Sequence, residues 1–559
     1  MNLSPEDRIA GILTPLFALR SETDLGVGDL DGLRQFILWA RRLGFRLVQL
    51  LPINETGGDH SPYNAISARA IEPTTLHLAP GSPEDLSEAA FAEVTREFDL
   101  DKLRRGGVHY RAVKTLKKQL LERAFAAFQR RSPDDRFVSF CRREHDWLEG
   151  YTLFRILMEQ NGERETWHQW PQHNWSAAQT WLESLGESEH AAIQERRQFF
   201  RYVQWIGHEQ WRAIKEFATR EGVALMGDIP FGVSYYSADV FARPERFALD
   251  WSGGAPPEPY FKDDKFTRKW GQNWGIPIYN WAEMRRHDFE WWCERVAGVK
   301  EIFHIFRIDH VLGFYRIYAF PWRPERNREF LPLNWDEMLA RTGGRGPHFF
   351  PRDDESWENK AANQREGEAY LRVVLEQSGD TRVVGEDLGT VPDYVRPSLR
   401  SLGIAGFKIP QWENYPDERS IPGSAYERLS VATYATHDHQ PIRALWETAF
   451  GNGEHADQAR QDLAKIGEFA GFMPGSSMDY LCDFYPRIFE ALFRCNSWIA
   501  VVMITDLLGR KDRFNVPGTA AASNWTRRLH TTVSKLGQGR NLKRQLRLVN
   551  QLLENAGRI

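Results

Sequence analysis

The chain reads Ile302-Phe-His-Ile-Phe-Arg-Ile-Asp309 immediately after a helix-like stretch from Phe289 to Lys300. A short apolar run that ends in a carboxylate predicts a buried strand. The same order recurs, because Leu30 to Leu43 precedes Arg46–Pro52, and Gln210 to Glu221 precedes Val223–Asp228. Repeated helix–strand units predict a parallel sheet.

Four more apolar runs extend this pattern to seven predicted strands. They are Arg382–Glu386, Ile404–Ile409, Val431–Asp438 and Ile499–Thr505, and the first two follow the helical stretches Leu371–Gln377 and Val395–Leu402. Polar residues cluster where the strands end, which favours an α/β fold of the TIM (β/α)8 barrel type, with its site at the carboxyl rim. A doubly wound sheet is the alternative, but Gly26-Val-Gly28 is too short for a nucleotide-binding loop.

Two regions depart from the barrel pattern. Between about residues 80 and 200 the chain has long charged helical stretches, including Val113–Gln129 and Ala191–Gln204, which predicts a helical insertion. The span from about 321 to 357 is rich in Pro, Arg, Gly and Asp and is too long for a bare connector. We therefore expect one catalytic barrel domain, 1–559, with a helical insertion, further loop subdomains and a cover segment beside the site.

Composition narrows the classes of ligand. A net charge of −4, with 26% charged residues, does not favour nucleic acid or an anionic membrane surface as a partner. The chain has 21 Trp and 13% aromatic residues, which suit stacking on sugar rings but equally a large core. The longest apolar run, Trp498 to Ile504, is too short to span a membrane, and no signal peptide is apparent. Four widely spaced cysteines predict reduced thiols in a cytoplasmic protein.

Carboxylates at the predicted strand ends are the candidates for acid–base chemistry. Arg307 and Asp309 point to one face of their strand, where the guanidinium would keep Asp309 ionised, although a purely structural ion pair explains the motif equally well. Glu386 and Asp387 point to opposite faces, and periodicity does not choose between them. A carboxyl buried at a strand end would have a raised pKa, as a general acid requires.

The cluster Thr436-His437-Asp438-His439 follows a mostly apolar run and suits hydrogen bonding to sugar hydroxyls. A metal site is disfavoured because the two histidines share a face only in an extended strand and no third ligand is apparent. A Ser–His–Asp hydrolase is disfavoured as well, since no GxSxG elbow follows any strand.

Taken in order, the motifs of this chain resemble those of glycoside hydrolase family 77, the amylomaltases or disproportionating enzymes. The resemblance covers nearly the whole chain. It is carried by Gly11–Phe17, Gly26–Leu30, Leu51–Ile53, Ser61–Asn64, Gly227–Pro230, Ser237–Val240, Arg307–His310, Gly385–Gly389, Thr436–Asp438, Asn515–Thr519 and Asn524-Trp525.

The resemblance implies a role for each matching residue. Asp309 matches the nucleophile, Glu386 the acid/base, and Asp438 the carboxylate that stabilises the transition state. Residues implied to contact the substrate are Tyr63, Asp228, Arg307 and His437, together with Tyr260, Gln272 and Trp274 of a loop expected to arch over the cleft.

Two features set this chain apart from much of the family. The sequences of its cleft loop and of Leu312–Ile317 look nearer to those of the cytosolic maltose-using disproportionating enzymes. This chain is without their N-terminal starch-binding modules. His439 stands where many members carry asparagine.

The implied activity is a retaining 4-α-glucanotransferase reaction. Such an enzyme moves glucosyl or glucanosyl units between maltooligosaccharides or other α-1,4-glucans, and it needs neither a cofactor nor a metal. Two alternatives remain at this point: a retaining α-glucan hydrolase that uses the same carboxylates, and a catalytically silent glucan-binding protein.

Overall fold

The computed structural model describes residues 1, 3–132, 134–258, 264–517 and 522–559 of the chain. Its strands, numbered along the chain, are β1 Ile9–Leu13, β2 Leu47–Gln49, β3 Ala224–Pro230, β4 Phe247–Ala255, β5 Gln272–Tyr279, β6 Ile305–Asp309, β7 Ile317–Phe320, β8 His348–Phe350, β9 Arg382–Gly385, β10 Gly406–Lys408, β11 Ser430–Ala432 and β12 Ile499–Met503.

Eight of these strands form a parallel sheet in the order β10-β11-β12-β1-β2-β3-β6-β9. A parallel bridge between Val384 and Ala405 brings β9 back beside β10, and the Gly385 N–H donates to the Ala405 carbonyl at 2.9 Å. The strands therefore follow one another around a TIM (β/α)8 barrel, as predicted. The carboxyl ends of all eight strands meet at one rim, where barrel enzymes place their active sites.

The eighth strand, β1, is the one that the sequence pattern did not reveal. It is five residues long, fully buried and preceded by no helix, so neither alternation nor a helix–strand order distinguishes it from loop. It lies in register with both β12 and β2, pairing Gly11 with Val501 and with Leu47. A Cβ on Gly11 would lie 2.7 Å from Leu47 Cδ2, so glycine permits this close strand contact.

The helices before the third barrel strand are α1 Leu30–Arg42, α2 Glu88–Thr95, α3 Leu100–Arg104, α4 Tyr110–Phe128, α5 Asp135–Arg143, α6 His145–Gln160, α7 Trp175–Glu183 and α8 Glu187–Arg220. The predicted helices Ala191–Gln204 and Gln210–Glu221 are two parts of the single helix α8. No strand lies among the described residues between α2 and α8.

The remaining helices accompany the later strands. They are α9 Ala238–Ala242, α10 Lys265–Trp270, α11 Trp281–Arg286, α12 Glu290–Ile302, α13 Asn327–Phe330, α14 Trp335–Thr342, α15 Trp357–Ser378, α16 Val395–Ser401, α17 Ile442–Ala449, α18 Ala456–Phe469, α19 Tyr485–Arg494, α20 Ile504–Leu507 and α21 Arg540–Asn555. Within the described residues, none is both long and apolar enough to cross a bilayer.

A second, antiparallel sheet in the order β5-β4-β7-β8 stands beside the barrel. Next to it lies a separate apolar cluster of Trp270, Phe320, Trp322, Phe330 and Met338, in which Trp322 and Phe330 stack at 3.9 Å. Between its strands β4 and β5 lie the helix α10 and the undescribed residues 259–263. The sequence pattern did not predict this sheet.

The chain's penultimate residue is buried near the amino ends of β1 and β12. Arg558 has no exposed surface, and its guanidinium donates to the carbonyls of Phe493, Ile9, Trp498, Cys495 and Ser497 at 2.6–3.2 Å. It thereby satisfies carbonyl groups that packing has removed from water.

Candidate active site

Asp309 and Glu386 stand at the ends of two adjacent strands, β6 and β9. The parallel register pairs Ile308 with Gly385, so the two carboxylate residues follow next on each strand. The Glu386 N–H donates to the Ile308 carbonyl at 2.9 Å, which continues the ladder to this point. Because adjacent strands lie about 4.8 Å apart, the two side chains start from neighbouring positions on the rim.

Glu386 and Asp387 go to different surroundings, which settles the choice that periodicity left open. Glu386 accepts hydrogen bonds from the N–H groups of His310, at 2.8 Å, and Leu388, at 3.1 Å, beside Asp309. Asp387 is 2% exposed and turns the other way, toward the Phe407 N–H at 2.6 Å and the Arg396 guanidinium at 3.0 Å. Glu386 is therefore the carboxyl that faces the site.

Burial raises the pKa of Glu386 to about 7. The positive charge of Arg307 opposes the rise, while the negative charge of Asp309 adds to it and the His310 N–H opposes it. A carboxyl with this pKa holds a proton for part of the time at neutral pH, as a general acid must.

Arg307 links two strands at the centre of the site. Its Nη1 lies 2.7 Å from each carboxylate oxygen of Asp228 on β3, and its Nη2 lies 2.6 Å from Asp309 Oδ1. Arg307 and Asp228 are both at most 4% exposed, whereas the Asp309 side chain is 29% exposed. One buried cation thus fixes Asp309 while leaving a carboxylate oxygen accessible from the cleft.

Tyr63 continues this chain of contacts across the barrel. Its hydroxyl donates to Asp228 Oδ2 at 2.6 Å and lies 3.3 Å from His437 Nδ1, and its ring stacks on the imidazole at 4.8 Å. His437 Nε2 in turn lies 3.3 Å from Asp438 Oδ2. The contacts connect Asp309 to Asp438 through intervening side chains, so these sequence-predicted residues form one network.

Asp438 is held as a charged carboxylate at the opposite side of the cleft. Burial alone would raise its pKa, but His437, the hydrogen bond from Asn515 Nδ2 at 2.6 Å, and His439 keep the pKa well below the usual range. Burial would likewise lower the pKa of His437, yet Asp438 raises it above its ordinary value. The lowered pKa of Asp438 and the raised pKa of His437 both favour a pair of a charged carboxylate and a charged imidazolium.

Asp438 lies in a turn and not on a strand, since β11 ends at Ala432 and the predicted strand Val431–Asp438 is wrong from Thr433 onward. The turn closes with the His439 N–H donating to the Thr436 carbonyl at 3.1 Å. The His439 imidazole folds back, so its Nδ1 accepts from the Thr436 N–H at 3.0 Å. This nitrogen is therefore already engaged within the turn.

Several residues around the carboxylates were not among the sequence-predicted site residues. Asn515 donates to Asp438 Oδ1, Arg513 donates to the Asp438 carbonyl, and the Trp525 ring lies 6.0 Å from Tyr63. Asn515 and Trp525 fall within motifs of the family resemblance, so that signal could have identified them. Arg513 carries no such signal.

Trp274 brings the antiparallel sheet to the site. Its ring meets His310, the residue after Asp309, edge to face at 4.7 Å, and 38% of it is exposed. Its indole N–H donates to Gln272 Oε1 at 3.1 Å, so the predicted pair of loop contacts stays together on β5. The third predicted contact of this loop, Tyr260, lies outside the described residues.

One acidic group elsewhere has the spacing of a cation site. Carboxylate oxygens of Asp146, Glu290 and Glu294 lie within 4.8 Å of one another. Glu290 pairs with Arg246 at 3.0 Å and Glu294 with Arg69 at 3.1 Å, so arginines already balance two of the three charges.

The chain matches the 4-alpha-glucanotransferase family over residues 14–534. It is 31% identical to a 4-alpha-glucanotransferase of Chlamydia caviae over 543 residues, covering 94% of this chain and 91% of the relative. It is 24% identical to a 4-alpha-glucanotransferase of Oryza sativa subsp. japonica, covering 99% of this chain and 70% of the relative.

Solved structures share the fold. The amylomaltase from Streptococcus agalactiae, in complex with acarbose, superposes with a TM-score of 0.73 at 21% identity, covering 99% of this chain and all of that one. The amylomaltase from Corynebacterium glutamicum gives 0.77 at 19% identity, covering 98% of this chain and 75% of that one. The chain therefore belongs to the 4-alpha-glucanotransferases of glycoside hydrolase family 77.

Proposed function

We propose that this protein transfers glucosyl or glucanosyl units from one α-1,4-glucan to the 4-hydroxyl of another by a retaining double displacement. The observation that carries the proposal is the pairing of Asp309 and Glu386 in register on adjacent strands. Retaining glycosidases place their two carboxyl groups about 5 Å apart, close to the spacing of neighbouring strands. Inverting enzymes need a wider gap, which admits a water molecule.

In the first step, a carboxylate oxygen of Asp309 attacks the anomeric carbon of the donor. Glu386, whose pKa is about 7, gives its proton to the departing oxygen, and a β-linked glycosyl–enzyme ester forms. Glu386 then takes the proton of the incoming 4-hydroxyl, and the oxygen of that hydroxyl displaces Asp309. The two inversions restore the α configuration.

Asp438 and His437 form the other wall of the proposed donor site. The carboxylate of Asp438 is charged and 42% of it is exposed, so it suits hydrogen bonds to sugar hydroxyls and the positive charge of an oxocarbenium-like transition state. Tyr63 offers an aromatic face next to both groups, suited to the apolar side of a glucose ring.

Transfer instead of hydrolysis requires that water be kept from the ester while an acceptor glucan is held in line. We assign this task to the cover, about 321–357. Its Glu325 accepts from Tyr236 Oη at 2.8 Å, and its Arg323 lies 4.2 Å above the Tyr235 ring, in the loop that follows β3. His168 of the helical insertion, about 80–200, stacks on Tyr236 at 5.4 Å.

These contacts support one catalytic domain, 1–559, in which insertion and cover meet over the barrel rim. Both half-reactions use side-chain carboxyls, so the proposed chemistry requires no cofactor and no metal. Donor and acceptor are both maltooligosaccharides or longer α-1,4-glucans. The four free thiols agree with a cytoplasmic location, which we propose for this protein.

The test is incubation of the protein with maltotriose, followed by separation of the products. We expect glucose together with maltopentaose and longer chains. Glucose and maltose without any longer chain would instead favour the retaining hydrolase.

Substitutions separate the enzyme from a silent glucan-binding protein. Asp309→Asn and Glu386→Gln should each abolish turnover while maltotriose still binds in calorimetry. Asp393→Asn, at a side chain that is 73% exposed, is the matched control and should keep full activity. Unchanged turnover in Asp309→Asn or Glu386→Gln would overturn the proposed mechanism.

A further inference from the structure

Four charged side chains lie behind the rim, on the side of β9 and β10 that faces the helix layer. Arg396 on α16 lies between two carboxylates, with Nε 3.0 Å from Asp387 Oδ2 and Nη2 3.4 Å from Glu413 Oε1. Lys408 Nζ lies 3.0 Å from Glu413 Oε2. We call Asp387, Arg396, Lys408 and Glu413 the ionic quartet.

The quartet contains two positive and two negative charges, and its carboxylates are the most deeply buried members. The side chains of Asp387 and Glu413 are 2% and 7% exposed, whereas that of Arg396 is 40% exposed. Buried carboxylates are costly unless they are paired and hydrogen-bonded. Among the described residues, Arg396, which reaches in from the surface, is the side chain that forms ion pairs with both.

The two carboxylates belong to different loops of the site. Asp387 directly follows Glu386 in the loop after β9, which we call the acid/base loop. Glu413 directly follows Trp412 in the loop after β10, which we call the aromatic loop. Trp412 is 52% exposed, and its ring lies 5.0 Å from that of His439, the neighbour of Asp438.

We infer that Arg396 is a positioning residue. By bridging Asp387 and Glu413, it holds the acid/base loop and the aromatic loop in a fixed position relative to each other. This inference rests on the proposed role of Glu386. Arg396 itself is outside the cleft and acts only through the two carboxylates.

Removal of Arg396 should lower the pKa of Glu386, which a general loss of packing would not do. Burial raises the pKa of Asp387 to about 6, and Arg396 is the strongest of the charges that oppose this rise. Without Arg396, the pKa of Asp387 should rise further, so that a smaller fraction of Asp387 is charged near neutral pH. The negative charge of Asp387 then raises the pKa of Glu386 less, so we expect the pKa of Glu386 to fall.

Among the described residues, Arg396 pairs with Asp387 and Glu413 and not with the other groups that face Glu386. They are Arg307 and Asp309 on β6, and the N–H groups of His310 and Leu388. A fall in the pKa of Glu386 in the variant would therefore report on Asp387.

The experiment compares Arg396→Met with Arg400→Met in the full-length protein. Arg400 lies one turn later on the same helix, pairs with Glu427 at the surface, and is 55% exposed, so it is a matched control. For Arg396→Met we expect kcat on maltotriose to fall roughly tenfold, with KM changed far less. The basic limb of its pH–rate profile should move to lower pH, and Arg400→Met should match the wild type in both measurements.

Partial return of kcat is expected in Arg396→Lys, because an ammonium keeps the charge but does not reproduce the planar fork. If Arg396→Met does not fold, Glu413→Gln breaks the same bridge from the other side and should lower kcat in the same way. A kcat and a basic limb equal to those of the wild type in Arg396→Met would overturn the inference, as would a wild-type kcat in Glu413→Gln if Arg396→Met does not fold.

Glu386→Gln distinguishes failure of this inference from failure of the proposed function. If Glu386→Gln is inactive while Arg396→Met behaves as the wild type, only the positioning role is wrong. Full activity of Glu386→Gln would overturn both.

Discussion

The pH dependence of turnover is the prediction that depends most directly on the environment of Glu386. In the proposed first step, Glu386 must be protonated, and its burial raises the pKa from 4.5 to about 7. The profile of kcat/KM against pH reports the ionisation of the free enzyme. We therefore expect a basic limb with its midpoint near pH 7.

The size of the effect follows from the protonated fraction. Above the midpoint, kcat/KM should fall roughly tenfold for each further pH unit, to about one hundredth at two units above it. The assay is release of glucose from maltotriose at low substrate concentration, measured between about pH 5 and 9, with stability checked at each pH.

The same shift makes a prediction about stability, whose sign follows from linkage. The folded protein binds the Glu386 proton more tightly than the unfolded chain, so stability is lost as pH rises from 4.5 through about 7. The loss amounts to about 3 kcal/mol once Glu386 is fully ionised. Glu386→Gln removes this ionisation and should melt above the wild type at about pH 8, with the difference shrinking toward pH 4.5.

Two results would refute this reasoning. A kcat/KM that stays constant to about pH 9 would show that protonation of Glu386 does not limit the reaction. A melting difference between Glu386→Gln and the wild type that is independent of pH would show that the carboxyl is not perturbed by burial.

Three further predictions follow from contacts in the structure. Tyr63→Phe removes the hydroxyl that donates to Asp228 and should lower kcat about tenfold to a hundredfold, because hydrogen bonds to charged groups contribute about 1.5–3 kcal/mol; an unchanged kcat would contradict this. Trp274→Ala removes an exposed ring beside His310 and should raise KM for maltotriose more than it lowers kcat, as measured by initial rates. Arg558→Met leaves buried carbonyls without a donor and should destabilise the protein by roughly 2–5 kcal/mol, seen as a lower melting temperature with normal kcat at 25 °C.

Much of the barrel could be predicted from the sequence because buried parallel strands are continuous apolar runs, and a helix precedes most of them. Ile305–Asp309 follows this pattern and ends at its carboxylate, whereas Asp228 lies two residues before the end of Ala224–Pro230. β1 was not predicted because no helix precedes it. The antiparallel sheet was not predicted because β4 and β5 carry polar and glycine residues and are separated by residues 256–271.

Some residues of the candidate site could likewise be predicted from the sequence, and others could not. Asp309, Asp438 and the neighbours Glu386 and Asp387 could be recognised as carboxylates at the ends of predicted strands. The family resemblance then chose Glu386 and added Tyr63. Asn515 at Asp438 could have been found only through its motif. Arg396 had no local signal, since its partners Asp387 and Glu413 lie on other elements, nine and 17 residues away.

The sequence by itself determined the barrel class, the carboxylates at its strand ends and, through the resemblance, the reaction. Hydrophobic periodicity indicates which residues become buried on folding, and a short stretch of sequence is enough to show it. Periodicity left the choice between Glu386 and Asp387 open, and the resemblance favoured Glu386. Only the tertiary structure decided what each side chain contacts, because Asp387 turns toward the Phe407 N–H and Arg396 on other elements. It also decided that Arg307, Tyr63 and His437 connect Asp309 to Asp438, since hydrogen bonds across a barrel depend on distances that no stretch of sequence contains.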